Sequence, residues 1–193
     1  MIKSRIRNKI IKLRKNNSYQ NLRIVSEKFS SFLKNKKYNF KNLGGYYPSN
    51  YEIDDLHILD IYNKKDYNIL LPAIKKNNQM DFFKWSNNSP LRINKYGIPE
   101  PVSSKVFYPD ILLVPLVGFD NNLNRLGYGG GFYDRYIEKI DKIKKVTKIG
   151  LAFSYQKIMP EAMLQNSIKV ANEVPAGECF FFGCEAFFYI THV

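Results

Sequence analysis

The residues best suited to chemistry lie in one short segment, RLGYGGGFYDRY, at positions 125–136. Four of the five residues from Gly127 to Gly131 are glycines, with Arg125 just before them and Asp134 just after. Glycines let the backbone approach a bound anion, and the N–H groups at the start of a following helix favour phosphate. An arginine adds donors for phosphate oxygens, and an aspartate can hold the Mg²⁺ that accompanies a nucleoside triphosphate. The segment therefore predicts a cradle for a phosphate-bearing ligand.

The spacing of these glycines matches neither the phosphate-binding loop that ends in Gly-Lys-Ser/Thr nor the dinucleotide pattern with glycines at its first, third and sixth positions. On spacing alone, a glycine-rich surface turn without a ligand is the alternative. Neither His57 nor His192 sits in a nucleophile motif, and Cys179 and Cys184 have no metal-binding pattern around them. We therefore expect no zinc site, no catalytic side-chain nucleophile and a reducing compartment.

Positive charge is concentrated at the N-terminus of this chain of net charge +13. Residues 1–41 hold thirteen Lys or Arg against one acid, and the other residues hold seventeen against sixteen. Four aliphatic residues recur there at helical spacing: Ile2, Ile6, Ile10 and Leu13. Lys3, Arg7 and Arg14 flank this stripe, so an amphipathic helix is predicted to place a row of cations at the edge of a groove. The alternatives are a solvated face, nucleic acid or an anionic membrane surface.

Three continuous apolar runs are typical of strands buried on both faces: residues 68–72, 111–115 and 148–153. A short strand is expected just before the turn-rich segment 44–50. Residues 86–109 contain four prolines and predict a long loop, and Phe82, Phe83 and Trp85 are expected in the core. Strands that alternate with helices predict a single-domain, three-layer α/β fold over residues 1–193, with an open, mostly parallel, Rossmann-like sheet flanked by helices.

Three more helices are predicted along the chain. The first begins at Ser18 as its N-cap and buries four apolar residues: Leu22, Val25, Phe29 and Phe32. The second runs from Glu52 to Tyr62 and has Glu52, Asp54 and Asp55 in its first turn, where acids interact favourably with the helix dipole. The third, YDRYIEKIDKI, follows the glycines directly, which places the phosphate cradle at a helix N-terminus.

The stretch PDILLVPLVGFDNNLNRLGYGGGFYDRY, residues 109–136, resembles the signature of the 5-formyltetrahydrofolate cyclo-ligase family, also called 5,10-methenyltetrahydrofolate synthetases. Weaker similarities extend the resemblance over about residues 1–160: KSRIR (3–7), YYPSNYEID (46–54), YGIPEP (96–101) and KIGLAFSYQ (148–156) with Pro160. The resemblance implies a cytoplasmic enzyme that uses ATP and Mg²⁺ to convert 5-formyltetrahydrofolate to 5,10-methenyltetrahydrofolate, releasing ADP and phosphate. It also implies small-molecule substrates alone, no nucleic-acid or membrane partner, and a monomer.

The family pattern, carried over position by position, implies a role for each matching residue but no catalytic side chain. ATP contacts are implied for two groups: Lys3, Ser4, Arg5, Ile6 and Arg7, and Arg125, Leu126, Gly127, Tyr128, Gly129, Gly130, Gly131, Phe132 and Tyr133. Folate contacts are implied for Tyr47, Glu52, Tyr128, Gly129, Gly130, Gly131 and Phe132. Asp134 is implied as the magnesium ligand, Glu52 as the acceptor for pterin N–H groups, and Tyr47 as an aromatic that can stack on the pterin.

The resemblance ends in residues 161–193, which diverge from the family. The family continues with an Asp-x-x-hydrophobic-Asp pattern whose second aspartate is a further magnesium ligand. Here the segment reads QNSIKVANEVPAGE, with Ala171 or Asn172 at the ligand position and Glu173 one residue away. This departure motivates a second hypothesis, a folate- or nucleotide-binding relative with impaired turnover. The basic N-terminus motivates a third, a nucleic-acid-binding module.

Overall fold

This computed structural model describes residues 2–17, 24–122, 124–158, 180–182 and 186–191, which form a mixed α/β fold. The elements are, in chain order: α1 (Ile2–Asn17), α2 (Ser26–Asn35), β1 (Asn42–Gly44), α3 (Leu56–Lys64), β2 (Asn68–Ile74), β3 (Met80–Trp85), β4 (Leu91–Ile93), β5 (Pro99–Pro101), β6 (Val106–Phe107), β7 (Ile111–Pro115), β8 (Gly118–Phe119), β9 (Arg125–Leu126), α4 (Phe132–Asp141), β10 (Thr147–Phe153), β11 (Phe180–Phe182) and β12 (Ala186–Thr191). Single 3-10 turns lie at Lys76–Asn78 and Ser154–Gln156. No helix in these described ranges is long and apolar enough to cross a membrane.

The main sheet has the strand order β11-β12-β10-β7-β1-β2-β3-β6. Its four central strands, β10, β7, β1 and β2, are parallel, and Leu43 of β1 lies opposite both Ile69 and Ile111. The three predicted apolar runs are the strands β2, β7 and β10, which confirms the open sheet with a parallel centre. Antiparallel strands extend both edges of this centre, and they include β3 and β6, for which no strand was predicted. The predicted loop at 86–109 is also partly wrong, since it contains β6 and the β4–β5 hairpin.

Side-chain alternation along β7 shows how the sheet is covered on both faces. Ile111 and Leu113 pack in a core cluster with residues of α2 and α3, whereas Leu112 and Val114 pack in a second cluster with residues of α4. All four are buried, as expected for a strand between two helical layers. Burial of each such side chain contributes roughly 1.5–3 kcal/mol. The three-layer α/β prediction is therefore confirmed, and Phe82, Phe83 and Trp85 lie in the core as expected.

Helix α1 docks beside the β8–β9 hairpin through a smaller cluster. Ile10 is buried there with Val117 and Leu126, and three partly buried residues pack around them: Ile6, Ile11 and Ile158. The predicted apolar stripe is wrong at Ile2, which is 67% exposed because the first turn of α1 extends past this cluster. Arg14 is more deeply buried than its neighbour Leu13. The helix therefore brings charged as well as apolar side chains to its inner face.

Helix α2 begins later than predicted. Val25 at its N-cap position is extended and 39% exposed, so the helix starts at Ser26 and does not run from Ser18. Ser18 and Leu22 lie outside the described residues. Phe29 and Phe32 are buried as predicted, because one face of α2 packs on the sheet.

Helix α3 begins at Leu56, so the prediction of a helix from Glu52 is wrong. Two of the three acids that precede it, Glu52 and Asp55, accept hydrogen bonds from backbone N–H groups upstream of the helix. The Glu52 carboxylate accepts a hydrogen bond of 2.8 Å from the N–H of Ser49, and the Asp55 carboxylate accepts one of 3.1 Å from Tyr46. Such local side-chain to backbone bonds compete with helix formation. They hold residues 46–55 as an ordered connection after β1.

Candidate active site

The glycine loop, residues 127–131, joins β9 to the N-terminus of α4. Gly129 (φ 100°) and Gly131 (φ 66°) are in the left-handed region, where a residue with a Cβ is strained. Gly131 is the N-cap of α4, and within the described residues no side chain caps this helix. The first-turn N–H groups of α4 therefore stand next to the loop as donors for an anion.

A cavity of about 520 Å³ opens at the carboxyl ends of β1, β2 and β7. Ligands of open parallel sheets bind at this edge, where the chain crosses to the other side of the first strand. The predicted site residues that line the cavity are Tyr47, Glu52, Arg125 and all residues from Gly127 to Asp134. The fold therefore brings the positions predicted for folate and most positions predicted for nucleotide to one cavity.

Helix α1 contacts the glycine loop through Arg7. Its Nε donates a 2.7 Å hydrogen bond to the carbonyl oxygen of Gly127. Its guanidinium carbon lies 3.4 Å from the position that a Cβ on Gly129 would occupy. A predicted cation of α1 thus lies against the loop where phosphate is expected.

The other N-terminal positions are placed differently. Lys3, one turn before Arg7 and on the same face, is partly buried, whereas Ser4 and Arg5 are exposed. Ile6 and Leu126 pack in the cluster that docks α1. Their implied ATP contacts stay predictions.

Arg125 and Asp134 form an ion pair across the glycine loop, Nη2 to Oδ1. The Arg125 side chain is 5% exposed, and its Nη1 also donates a 3.1 Å bond to the carbonyl oxygen of Pro115. A Cβ at Gly127 would lie 3.0 Å from Nη1 of Arg125, a tight contact that would require the guanidinium to shift. The residues predicted separately for phosphate and for metal are therefore each other's partners. The Asp134 side chain keeps 36% of its surface exposed.

A metal site at Asp134 would use few protein ligands. In the described part of the chain, no three His, Cys, Asp or Glu residues form a group that could hold a metal ion. Mg²⁺ often takes only one or two protein carboxylates, with nucleotide phosphates and waters as its other ligands. Asp134, partly exposed beside the glycine loop, fits such a site. Ala171, Asn172, Glu173 and Pro160 lie outside the described residues.

Glu52 presents a carboxylate to the same cavity from the connection after β1. It accepts bonds from Ser49, from N–H at 2.8 Å and from Oγ at 3.3 Å. Burial raises the pKa of the Glu52 carboxyl, while the bonds from Tyr128 and Ser49 and the charge of Arg14 oppose that rise. Burial and the Glu52 charge raise the pKa of the Tyr128 hydroxyl, which keeps it protonated as a donor.

Three features of the site were not predicted from the sequence. Arg14 is 1% exposed and donates to the Tyr128 hydroxyl and to the Leu116 carbonyl. Its position beside the apolar stripe had instead predicted a cation at the edge of a groove. Nε of Arg125 and the hydroxyl of Tyr133 are buried without a hydrogen-bond partner among the described residues.

A parallel sheet with a cavity at its carboxyl edge, a glycine loop at a helix N-terminus and adjacent arginines defines an α/β protein built to hold an anionic small molecule. Comparison with known proteins makes this class more specific. The model of the 5-formyltetrahydrofolate cyclo-ligase family matches residues 2–161, and the chain belongs to this family of enzymes. The resemblance seen in the glycine-rich signature is therefore confirmed, as is the prediction of an enzyme of this type.

Individual relatives agree with the family. The chain is 32% identical to a 5-formyltetrahydrofolate cyclo-ligase of Haemophilus influenzae over 125 residues, 61% of this chain and 66% of that protein, just under two thirds. A Mycoplasma genitalium protein of the same name is 30% identical over 68% of this chain and 70% of its own length. The NMR structure of Aquifex aeolicus 5,10-methenyltetrahydrofolate synthetase superposes with a TM-score of 0.64 and 29% identity, covering 91% of this chain and 87% of that one.

Proposed function

We propose that the protein converts 5-formyltetrahydrofolate to 5,10-methenyltetrahydrofolate at the expense of ATP, releasing ADP and phosphate. The observation that carries the proposal is the single cavity that has the glycine loop and the start of α4 on its wall together with Glu52. One part of this wall suits polyphosphate and the other suits a pterin. The names of the relatives support the same reaction.

The proposed reaction needs positioning and charge neutralisation more than covalent help from side chains. The formyl oxygen attacks the γ-phosphorus and the bond to ADP breaks. The second folate nitrogen then attacks the formyl carbon and loses its proton, which closes the ring as phosphate leaves. The glycine loop and the first turn of α4 would supply N–H donors to the phosphates. Arg7, held against Gly127 and Gly129, would supply positive charge beside them. This division of labour agrees with the prediction of no catalytic nucleophile.

Recognition of the pterin is assigned to the connection after β1. The Glu52 carboxylate is a natural acceptor for the amino and ring N–H groups of a pterin, since a charged acceptor with two oxygens forms strong paired hydrogen bonds. Tyr47 is partly buried, lines the same cavity and offers an aromatic face for stacking. These two residues would orient the folate, and thereby place its formyl group toward the nucleotide.

Asp134 would hold Mg²⁺ in the proposed complex. The metal would neutralise phosphate charge as transfer proceeds. Because Asp134 is paired with Arg125, its carboxylate would be oriented before the metal arrives, and Arg125 would remain beside the phosphates.

The test follows the absorbance of methenyltetrahydrofolate as purified protein is mixed with 5-formyltetrahydrofolate and MgATP, with controls that lack ATP or Mg²⁺. We expect product only in the complete mixture. No product, with ATP binding intact by calorimetry, would contradict the proposal and leave a binding relative with impaired turnover. Salt-sensitive mobility shifts with nucleic acid, without product, would instead favour the nucleic-acid hypothesis.

A further inference from the structure

Arg14 is an unusual residue for the interior of this protein. Its side chain is among the largest that are fully buried, with 1% of the residue exposed. A buried charge is costly unless neighbouring groups compensate it. Its Nη2 donates to the carbonyl oxygen of Leu116, just after β7, and its Nη1 lies 3.5 Å from the carbonyl oxygen of Asn50, in the connection after β1. Arg14 therefore ties α1 to two connections at the carboxyl edge of the sheet.

The hydroxyl of Tyr128 links Arg14 to Glu52. It accepts a hydrogen bond from Nη1 of Arg14, and it lines the same cavity as the Glu52 carboxylate, whose pKa the hydroxyl lowers. The guanidinium carbon also lies 5.7 Å from the centre of the Tyr128 ring, so cation and ring are in contact range. A cation, a hydroxyl and a carboxylate thus form a chain from the interior to the cavity wall. The positive charge of Arg14 lowers the pKa of Glu52.

Helix α1 holds the glycine loop at two points. Arg7 bonds the backbone of Gly127, and Arg14, two helical turns further on, bonds the side chain of Tyr128. The aromatic at position 128 is therefore oriented by α1 and not by its own loop alone. Loss of the Arg14 contact should leave the Arg7 contact in place, because the two arginines bind different groups.

We infer that Arg14 is a positioning residue which, through the Tyr128 hydroxyl, fixes and polarises the Glu52 carboxylate for recognition of the reduced pterin. This inference rests on the proposed function, since it assigns Glu52 to the folate. It differs from the role of Arg7, which contacts the loop backbone where phosphate is expected. Arg14 is expected to affect folate affinity more than nucleotide affinity.

The titratable groups around Glu52 make the inference measurable through pH. Tyr46 and Asp55 interact with it from its own connection, Tyr128 and Tyr133 from the glycine loop and α4, and Arg14 from α1. Of these groups, Arg14 carries the positive charge that opposes the rise in the Glu52 pKa. Removing that charge should raise the Glu52 pKa further. Folate binding should then be lost at a higher pH as the solution is acidified.

The experiment measures the Kd of 5-formyltetrahydrofolate and of ATP by calorimetry between pH 5.5 and 8, together with thermal unfolding. The variants are Arg14→Gln, which removes the charge; Arg14→Lys, which keeps it; and Tyr128→Phe, which removes the hydroxyl. Lys12→Gln is the matched control, because it removes one charge from an exposed position of the same helix. Tyr128 is 36% exposed, so its variant stays usable if the Arg14 variants fold poorly.

We expect Arg14→Gln and Tyr128→Phe each to weaken folate binding about tenfold at pH 7, as for loss of a hydrogen bond that involves a charged group. ATP affinity should fall less than folate affinity, since these variants leave the backbone N–H groups of the glycine loop and the Arg7 contact in place. The pH at which folate binding is lost on acidification should rise in Arg14→Gln, rise less in Arg14→Lys, and stay unchanged in Lys12→Gln. The double variant should bind folate no more weakly than either single variant, because both break one chain.

The opposite outcomes overturn the inference. If Arg14 only stabilises the fold, Arg14→Gln would lower the unfolding temperature without changing the pH at which folate binding is lost. The effects of Arg14→Gln and Tyr128→Phe on folate binding would then add. Wild-type folate binding with wild-type pH dependence in Tyr128→Phe would also refute it. If the wild-type protein fails to bind 5-formyltetrahydrofolate, the proposed function falls and this inference with it. If the wild type binds and the variants are unchanged, only the inference falls.

Discussion

Replacement of Asp134 by Asn tests the ion pair and the metal assignment together. The Arg125 side chain is 5% exposed and that of Asp134 is 36% exposed, so the ion pair is intermediate between a surface pair and a fully buried one. A surface pair contributes about 0–1 kcal/mol, and disruption of a fully buried pair costs about 3–5 kcal/mol. Asn keeps an oxygen that can accept from Arg125, and Arg125 keeps its bond to Pro115. We therefore expect a loss of about 1–2 kcal/mol in the free energy of unfolding, which lowers the melting temperature by about 2–8 °C.

The effect of Asp134→Asn on Mg²⁺ should be larger than its effect on stability. A neutral amide is a poor magnesium ligand, so the Mg²⁺ concentration for half-maximal turnover should rise about tenfold or more. The assay is methenyltetrahydrofolate formation against free Mg²⁺ at saturating ATP. Glu138→Gln is the control, because it removes a 67% exposed carboxylate from the same helix. An unchanged Mg²⁺ requirement in a less stable variant would refute the metal assignment and leave Asp134 as the partner of Arg125 alone.

Three further substitutions test other parts of the site. Gly130→Val should weaken ATP binding about tenfold, because it places a branched side chain where backbone is expected to meet phosphate. Its Cβ would also lie 3.0 Å from the Phe132 ring, so thermal unfolding is measured beside calorimetric ATP affinity, and a normal affinity would contradict the cradle. Glu52→Gln should raise the KM for 5-formyltetrahydrofolate about tenfold and leave that for ATP within about twofold, and steady-state kinetics that show the reverse would remove Glu52 from the folate site. Asp55→Asn tests a carboxyl whose pKa is raised well above its usual range by burial. Because the folded state holds this proton more tightly than the unfolded state, the stability of the wild type should fall as the pH rises from about 4. The variant has no such proton, so its stability should not show this fall. Urea unfolding that gives parallel pH profiles for the two proteins would contradict the last prediction.

The parallel centre of the sheet could be predicted because its signal is local. Strands β2, β7 and β10 are buried on both faces, which leaves uninterrupted apolar runs in the sequence. Strand β3 lacks such a run, since Asp81 and Lys84 interrupt its aromatic residues. It is a strand because it pairs with β2, where Phe83 lies opposite Leu71. Core membership of Phe82 and Phe83 was therefore predictable, but their secondary structure depended on a partner distant in sequence.

The start of α3 shows a different limit. Acids before an apolar helical stripe resemble a first helical turn, where the dipole favours them. Glu52 instead closes a turn on Ser49, and Asp55 binds the N–H of Tyr46. Both N–H groups lie upstream of the acids. Acids followed by an apolar stripe can therefore mark either a helix start or a folded turn before the helix. The same contacts bring Glu52 to the cavity.

The residues of the candidate site were predicted, but the contacts between their side chains were not. The glycine loop and the cations of α1 were expected near phosphate, and Arg7 does lie against the loop. The pairing of Arg125 with Asp134, and the burial of Arg14 among groups from three connections, arise from tertiary packing. Side-chain type and spacing alone do not encode such partners. They emerge once α1 is docked beside β8 and β9.

The central claim is that the glycine loop, the start of α4 and the arginine of α1 hold nucleotide phosphates beside a pterin site at Glu52. A crystal structure with Mg²⁺, a non-hydrolysable ATP analogue and 5-formyltetrahydrofolate tests it most directly. The claim predicts phosphate oxygens within hydrogen-bond distance of the backbone N–H groups of residues 129–133 and of Arg7, with the pterin on Glu52. A nucleotide bound elsewhere, with the glycine loop open to solvent, would contradict it.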